Sequence, residues 1–261
     1  MNNIFDIKRF GNYFLYDLRR AKNNYGISLL IMGLTPVLLL VIHVLLSLLS
    51  GNGVNPMGDA TKEGGIVVIL LSVMIGAGVK LYGFLTEKRA GSDFLMFPAS
   101  TFEKWLSIVL MVCIIIPAVI LALLFASDFI LSLVLPGLYG GRAFDQDLVN
   151  ISQAFETEGV TINYGAIIFI SWCQNVLFFT LGAILFKNAK VAKSLLCMMG
   201  IGMLLSTILV IIVGHRVDFD ISELSLDFPE KAINWAASIW YAVSTGLLLW
   251  GIWYRLRTLK H

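Results

Sequence analysis

Trp105-Leu-Ser-Ile-Val-Leu-Met-Val-Cys-Ile-Ile-Ile-Pro-Ala-Val-Ile-Leu-Ala-Leu-Leu-Phe125 runs for 21 residues without a charge. A helix rises about 1.5 Å per residue, so this stretch crosses the roughly 30 Å hydrocarbon core of a bilayer. The whole chain shares its character. Of 261 residues, 58% are hydrophobic and 14% charged, against about 45–50% and about 25% in ordinary globular proteins. A soluble fold of this size cannot cover its surface with so few charges, so the sequence specifies a polytopic membrane helix bundle, all-α.

Working outward from 105–125, five further apolar stretches reach spanning length: 27–49, 66–84, 166–186, 195–213 and 232–253. The 105–125 span can continue to Leu135, with Pro117 as a kink and Ser127-Asp128 as its exit into water. The expectation is six transmembrane helices within a 27–261 membrane domain. The first is read as a retained anchor, because its 23-residue apolar core exceeds the 7–15 residues of a signal peptide.

Charge sets the orientation. With both termini on one side, that side holds 15 of the 19 Lys and Arg residues, and Lys62, Arg142, Arg216 and Lys231 lie opposite. Twelve of the 17 acids fall on the far side, counting Asp128 there. Basic residues mark the cytoplasmic face, so both termini are expected in the cytoplasm.

Residues 1–26 read as an amphipathic helix lying at the membrane interface. Ile7, Phe10, Phe14, Leu18 and Ala21 recur at helical spacing, and Lys8, Arg9, Arg19 and Arg20 fall largely off that stripe. Such an elbow helix has membrane lipid as a partner, lying in the headgroup layer with its basic residues near anionic lipid; it is a topology anchor, or it also packs on a cytoplasmic partner. The outer loops carry Asp145, Asp147, Glu156, Glu158, Asp218, Asp220, Glu223, Asp227 and Glu230. These acids either bind cations or simply follow the charge asymmetry. Asp227-Phe-Pro-Glu230 has capping-box spacing before the sixth span. The short 187–194 loop carries Lys187, Lys190 and Lys193. Orientation explains it, and a partner contact is the alternative.

Several chemistries are missing. There is no phosphate loop, no H-E-x-x-H and no G-x-S-x-G. His43, His215 and His261 are scattered, and Cys113, Cys173 and Cys197 lie in apolar runs without metal-site spacing. No catalytic residue and no metal ligand is assigned, and no dense basic run away from the membrane flanks suggests nucleic acid. Gln174-Asn175 are the polar pair near mid-membrane of the fourth span. They either bond to a neighbouring helix or line a substrate pathway. Gly76 and Gly78 on the second span, and Gly200 and Gly202 on the fifth, permit close helix contact.

The connection between the second and third spans, residues 85–104, mixes a charged patch, Glu87-Lys88-Arg89, with an apolar one, Phe94-Leu95-Met96-Phe97. Ser100-Thr-Phe-Glu103 forms a capping box, Pro98 stands just outside it, and Trp105 takes an aromatic-belt position. Four consecutive apolar residues on the water side need cover. They lie against headgroups, pack under the bundle, or fill a groove on another protein.

With Lys88 and Gly91 upstream, the run Phe94-Leu-Met-Phe-Pro-Ala-Ser-Thr-Phe-Glu-Lys-Trp105 resembles a motif of ABC-2 type transporter permease-like membrane proteins of the Bacteroidetes type. There the pattern is Tyr/Phe-Leu-Met-Leu-Pro-Ala-Ser-x-x-Glu-Lys-Phe after the second span. This sequence departs by Phe97 for Leu and Trp105 for Phe. The resemblance covers about 20 residues, and the elbow helix with six spans agrees with that layout. It implies an inner-membrane permease subunit, an exporter, that binds no cofactor itself. A separate ABC ATPase subunit would carry the ATP, and a second permease copy would complete a homo- or heterodimer. The 85–104 segment would be the coupling helix. Glu87, Lys88 and Arg89 would form rim ion pairs, Phe94, Leu95 and Met96 would fill the ATPase groove, and Gly91, Pro98, Ser100 and Glu103 would shape the segment. The alternative is a non-transporting membrane scaffold or sensor that holds a cytoplasmic partner through the same segment.

Overall fold

A computed structural model describes residues 5–51, 53, 55–87, 91, 94, 96–144, 154–157, 160–214 and 230–259. These residues are mostly helical, with one short hairpin, a single helical turn at Pro136–Tyr139 and non-helical connections such as 55–58 and 97–100. In order the helices are α1 (Ile7–Gly33), α2 (Thr35–Ser50), α3 (Asp59–Tyr82), α4 (Thr101–Val134), α5 (Tyr164–Leu185), α6 (Lys190–Gly214) and α7 (Glu230–Thr258). Strands β1 (Ala154–Thr157) and β2 (Val160–Asn163) pair antiparallel between α4 and α5. Among the described residues, five helical stretches are long and apolar enough to cross a membrane: Ile7–Ser50, Asp59–Thr86, Thr101–Val134, Ile168–Leu185 and Lys190–Ile208.

The first stretch departs from expectation. The amphipathic segment does not end at residue 26. α1 is a single helix into the apolar run, capped by the Asp6 carboxylate, which accepts the N–H groups of Lys8 and Arg9. The break comes at Leu34, where Pro36 enters the first turn of α2. Proline has no N–H to continue the ladder and its ring crowds the preceding turn, so the interruption belongs to the proline and not to the change in polarity.

The packed face of α1 also differs from the expected stripe. Its buried residues are Tyr13, Asp17, Ala21, Tyr25, Leu29 and Gly33, one every four positions. Ile7 and Leu18 are exposed. Both faces are apolar enough to bury. The packed one carries tyrosines and a carboxylate, whose polar ends require partners away from water. Of the expected stripe, Ile7 and Leu18 need no partner and can face lipid, while Phe14 packs on the core and Ala21 is buried.

α4 is regular from Thr101 to Leu110, turns π-helical over Met111–Ile115, and resumes at Ile116. Pro117 follows at once. Its missing N–H frees the carbonyl one turn back, that of Cys113, and the Cys173 thiol of α5 approaches that oxygen at 4.0 Å. The helix does not leave for water at Ser127-Asp128. It continues to Val134 with Asp128 buried. The Tyr139 hydroxyl donates to the Asp128 carboxylate at 2.6 Å and the Ala143 N–H at 3.1 Å. Burial, with that carboxylate beside it, pushes the Tyr139 phenol up. Lys62 at the start of α3 is buried too, donating to Asp59 at 2.8 Å and to the Gly141 carbonyl at 2.9 Å.

Small residues set the closest helix approaches. A Cβ on Gly78 of α3 would stand 2.7 Å from the Thr180 Cα of α5, and one on Gly33 of α1 would stand 2.6 Å from the Leu123 Cβ of α4. Val73, Ala77, Ile108, Ile120, Leu124, Leu177 and Ile184 fill the centre. α6 stands outside this core. Leu196, Met199, Met203 and Leu204 are exposed, and among the described residues nothing lies within 4 Å of a Cβ placed on Gly200 or Gly202. The residues expected to cap the sixth span, Asp227 and Pro229, and the outer acids Asp145, Asp147, Glu158, Asp218, Asp220 and Glu223 lie outside the described residues.

Candidate functional site

The segment between α3 and α4 is built into the bundle by both ends. α3 tightens into a 3-10 turn, Gly83–Thr86, and the Lys190 ammonium at the start of α6 donates to the Gly83 carbonyl. The short basic loop before α6 is thereby tied to the end of α3. At the other end Ser100 caps α4: its Oγ accepts the Glu103 N–H at 3.2 Å, and Glu103 returns the bond from the Ser100 N–H at 2.8 Å. This is the reciprocal pairing that the Ser-x-x-Glu spacing demands.

Glu103 does more than cap. It is fully buried, and its carboxylate also accepts the Asp6 N–H at 2.9 Å and a two-pronged contact from Arg9, with Nε at 2.8 Å and Nη2 at 2.7 Å. A planar guanidinium matches a carboxylate in this way and fixes orientation as well as distance. One side chain therefore joins the start of α1 to the start of α4.

Lys104 is buried beside it. Its ammonium donates to the Phe94 carbonyl at 2.7 Å and lies 4.9 Å from the centre of the Phe94 ring. Phe94 is inside, edge-on to Tyr13 and to Phe84. Phe97 meets Tyr13 edge-on at 5.2 Å and stacks on Tyr16 at 4.8 Å. Arg20 covers the other side of Phe84, 3.3 Å from the ring centre. Beneath this aromatic layer Asp17 is buried, and one carboxylate oxygen accepts both the Tyr82 and the Ser107 hydroxyl at 2.7 Å. Asp17 thereby links α1, α3 and α4.

The residues expected to meet an ATPase thus divide. Gly91 and Phe94 are buried, Ser100 is half-buried as a cap, and Glu103 is held by Arg9. Glu87, Met96 and Pro98 are exposed, Met96 by 81%. Lys88, Arg89 and Leu95 lie outside the described residues. Of the three kinds of cover considered for the apolar patch, packing under the bundle accounts for Phe94 and Phe97. Met96 is left facing out.

Sequence reading did not identify Arg9, Tyr13, Tyr16, Asp17, Tyr82 or Ser107 as part of this site. One signal was present. Asp17 is a lone acid within a basic helix, one turn from Tyr13 and two from Tyr25, and an acid on an otherwise apolar four-residue spacing implies a buried donor.

Gln174 and Asn175 do not act together. The Gln174 amide donates to Ser244 of α7 at 2.8 Å, and Asn175 donates back to the Ser171 carbonyl of its own helix at 2.8 Å. Trp105 donates its indole N–H to the Leu249 carbonyl of α7 at 3.0 Å. α7 is therefore held to α4 and α5 by polar bonds.

No protein-family model matches the chain, and no curated protein or solved structure is significantly similar to it. The class that the fold itself defines is a membrane-embedded helix bundle.

Proposed function

We propose that the chain is the membrane-spanning permease subunit of an ABC-2-like transporter, an exporter, driven by a separate ATPase that docks on residues 85–104. α7 serves as the sixth span, the first part of α1 as the interfacial elbow, and both termini face the cytoplasm of a bacterial inner membrane. The observation that carries this reading is the bracing of the 85–104 connection. Lys104, Glu103 and the aromatic layer tie Phe94, Phe97 and Ser100 to α1 and α4, while Glu87, Met96 and Pro98 are exposed. A segment that transmits force needs a rigid base and an exposed tip. Closure of an ATPase dimer would push the tip, and the braced helices would tilt together and alternate access to a pathway between two permease copies.

Purification of the tagged chain from its native membrane tests this, with Met96→Cys crosslinked before solubilisation. A nucleotide-binding protein joined at that position is the expected result. Its absence, with the chain intact, would overturn the proposal.

One observation favours a second reading, a non-transporting scaffold or sensor. Gln174 and Asn175 are both engaged in hydrogen bonds within the bundle, as a purely structural pair would be. Loss of export on Gln174→Leu, in a chain that still folds and still holds its ATPase, would exclude the scaffold.

A further inference from the structure

α1 and α4 run side by side and touch where Gly33 meets Leu123. They meet again at the start of both helices, through Arg9–Glu103 and Asp17–Ser107, and between these contacts, on the face of α1 that carries Leu18, Lys22 and Leu30, Met111 and Ile115 of the π-helical turn line an opening. The space between them is a groove of about 490 Å³, within the range of ligand-sized clefts. Its walls are apolar, with Leu30, Ile115 and Val119 among them, and Arg19 and Lys22 line it toward the start of α1. Both basic side chains are exposed, and among the described residues neither is in an ion pair. Gly26 forms part of the wall, and a Cβ there would meet only the Lys22 side chain, at 3.6 Å.

Two properties of this groove select its occupant. The first is length. From Leu18 to Leu30 it follows α1 for about 18 Å at 1.5 Å per residue, close to the roughly 15 Å of one leaflet's hydrocarbon. The second is polarity. Two cations stand at one end and none among the lining residues at the other, and basic pockets between membrane helices hold anionic headgroups. The geometry points to a binding site for one anionic phospholipid, its acyl chain between α1 and α4 and its phosphate at Arg19 and Lys22. This is independent of the permease reading and would hold equally for a scaffold.

The full chain is reconstituted with equal phosphatidylglycerol and phosphatidylcholine, and native mass spectrometry counts the lipid retained per chain. One phosphatidylglycerol is expected, favoured over phosphatidylcholine by about thirtyfold for two basic groups near the headgroup. Arg19→Gln with Lys22→Gln should bring that ratio close to one. Gly26→Leu should lower retention of both lipids, since it fills the groove without meeting backbone. Should the double variant fail to insert, Lys22→Gln alone is expected to lower the ratio severalfold. Equal retention of the two lipids by the natural chain would overturn the proposal, as would a preference that survives neutralisation. A lipid-free dimer that Gly26→Leu dissociates would give the groove to a second copy and overturn it too.

Discussion

Glu103 and Arg9 stand 94 positions apart in sequence and meet through a two-pronged contact at 2.7 and 2.8 Å. The pair is unequal. Glu103 is fully buried and serves Asp6 and Ser100 as well, whereas the Arg9 side chain is partly exposed. Removing the carboxylate leaves two backbone N–H groups and a guanidinium without their acceptor. Removing Arg9 leaves the other two bonds in place. Glu103→Ala should therefore loosen the 85–104 segment more than Arg9→Ala. Limited proteolysis of inverted membrane vesicles checks this, with faster cleavage near residue 100 in the glutamate variant. Equal cleavage would mean that the capping bonds contribute nothing beyond the ion pair.

That asymmetry also marks how far local sequence reaches. The capping box was legible because Ser100 and Glu103 are three residues apart and their chemistry is reciprocal. Arg9 was not, since nothing in the sequence around either residue names a partner on another helix. Gly78 was legible as a small residue, while Thr180 opposite was not. Asp128 was misread for a related reason. An acid after an apolar run ordinarily meets water, and only the return of Tyr139 and Ala143 over it keeps it inside. The break in the first apolar stretch had its cause in plain view at Pro36, but hydropathy alone averages across a proline. The β1–β2 hairpin had only two four-residue runs in a loop to announce it.

Asp17 yields a sharper test, because two hydroxyls share one of its oxygens. Asp17→Leu removes the acceptor and leaves the Tyr82 and Ser107 hydroxyls buried without one, at about 1–3 kcal/mol for each. Asp17→Asn keeps a carbonyl oxygen in place and should lose much less. Thermal melting of the detergent-solubilised chain should rank natural above Asn above Leu. Adding Tyr82→Phe to the leucine variant should recover stability, since it removes a donor that has lost its acceptor. If the leucine variant melts with the natural chain, the Asp17 cluster is not structural.

The glycines separate packed from open faces. A methyl group on Gly78 would press on the Thr180 backbone, which cannot turn aside as a side chain can. Gly78→Ala should cost about 1–3 kcal/mol, the usual penalty of overpacking. A Cβ at Gly200 meets nothing within 4 Å among the described residues, so Gly200→Ala should be tolerated. The two variants are compared by melting temperature in detergent. A marked loss for Gly200→Ala together with a shift in size-exclusion chromatography would mean that α6 is covered by another chain, and a loss without that shift would mean that residues outside those described cover it.

Phe94 and Met96 lie in the same apolar patch and should fail differently. Phe94→Asp places a charge between Tyr13, Phe84 and Lys104, where breaking the aromatic layer and the Lys104 contact would undo the segment itself. Loss of an ATPase from that variant would prove little, because the docking surface would be gone for internal reasons. Met96→Asp changes an exposed side chain, so stability should stay within about 0.5 kcal/mol, as surface substitutions do. On the proposed function it should nevertheless abolish ATPase co-purification, because a carboxylate would then have to be desolvated inside an apolar groove. Melting and co-purification measured on both variants separate the possibilities. Met96→Asp stable and ATPase-free supports the permease. Met96→Asp stable with its ATPase still bound would place the docking surface elsewhere and remove the coupling role from residues 85–104.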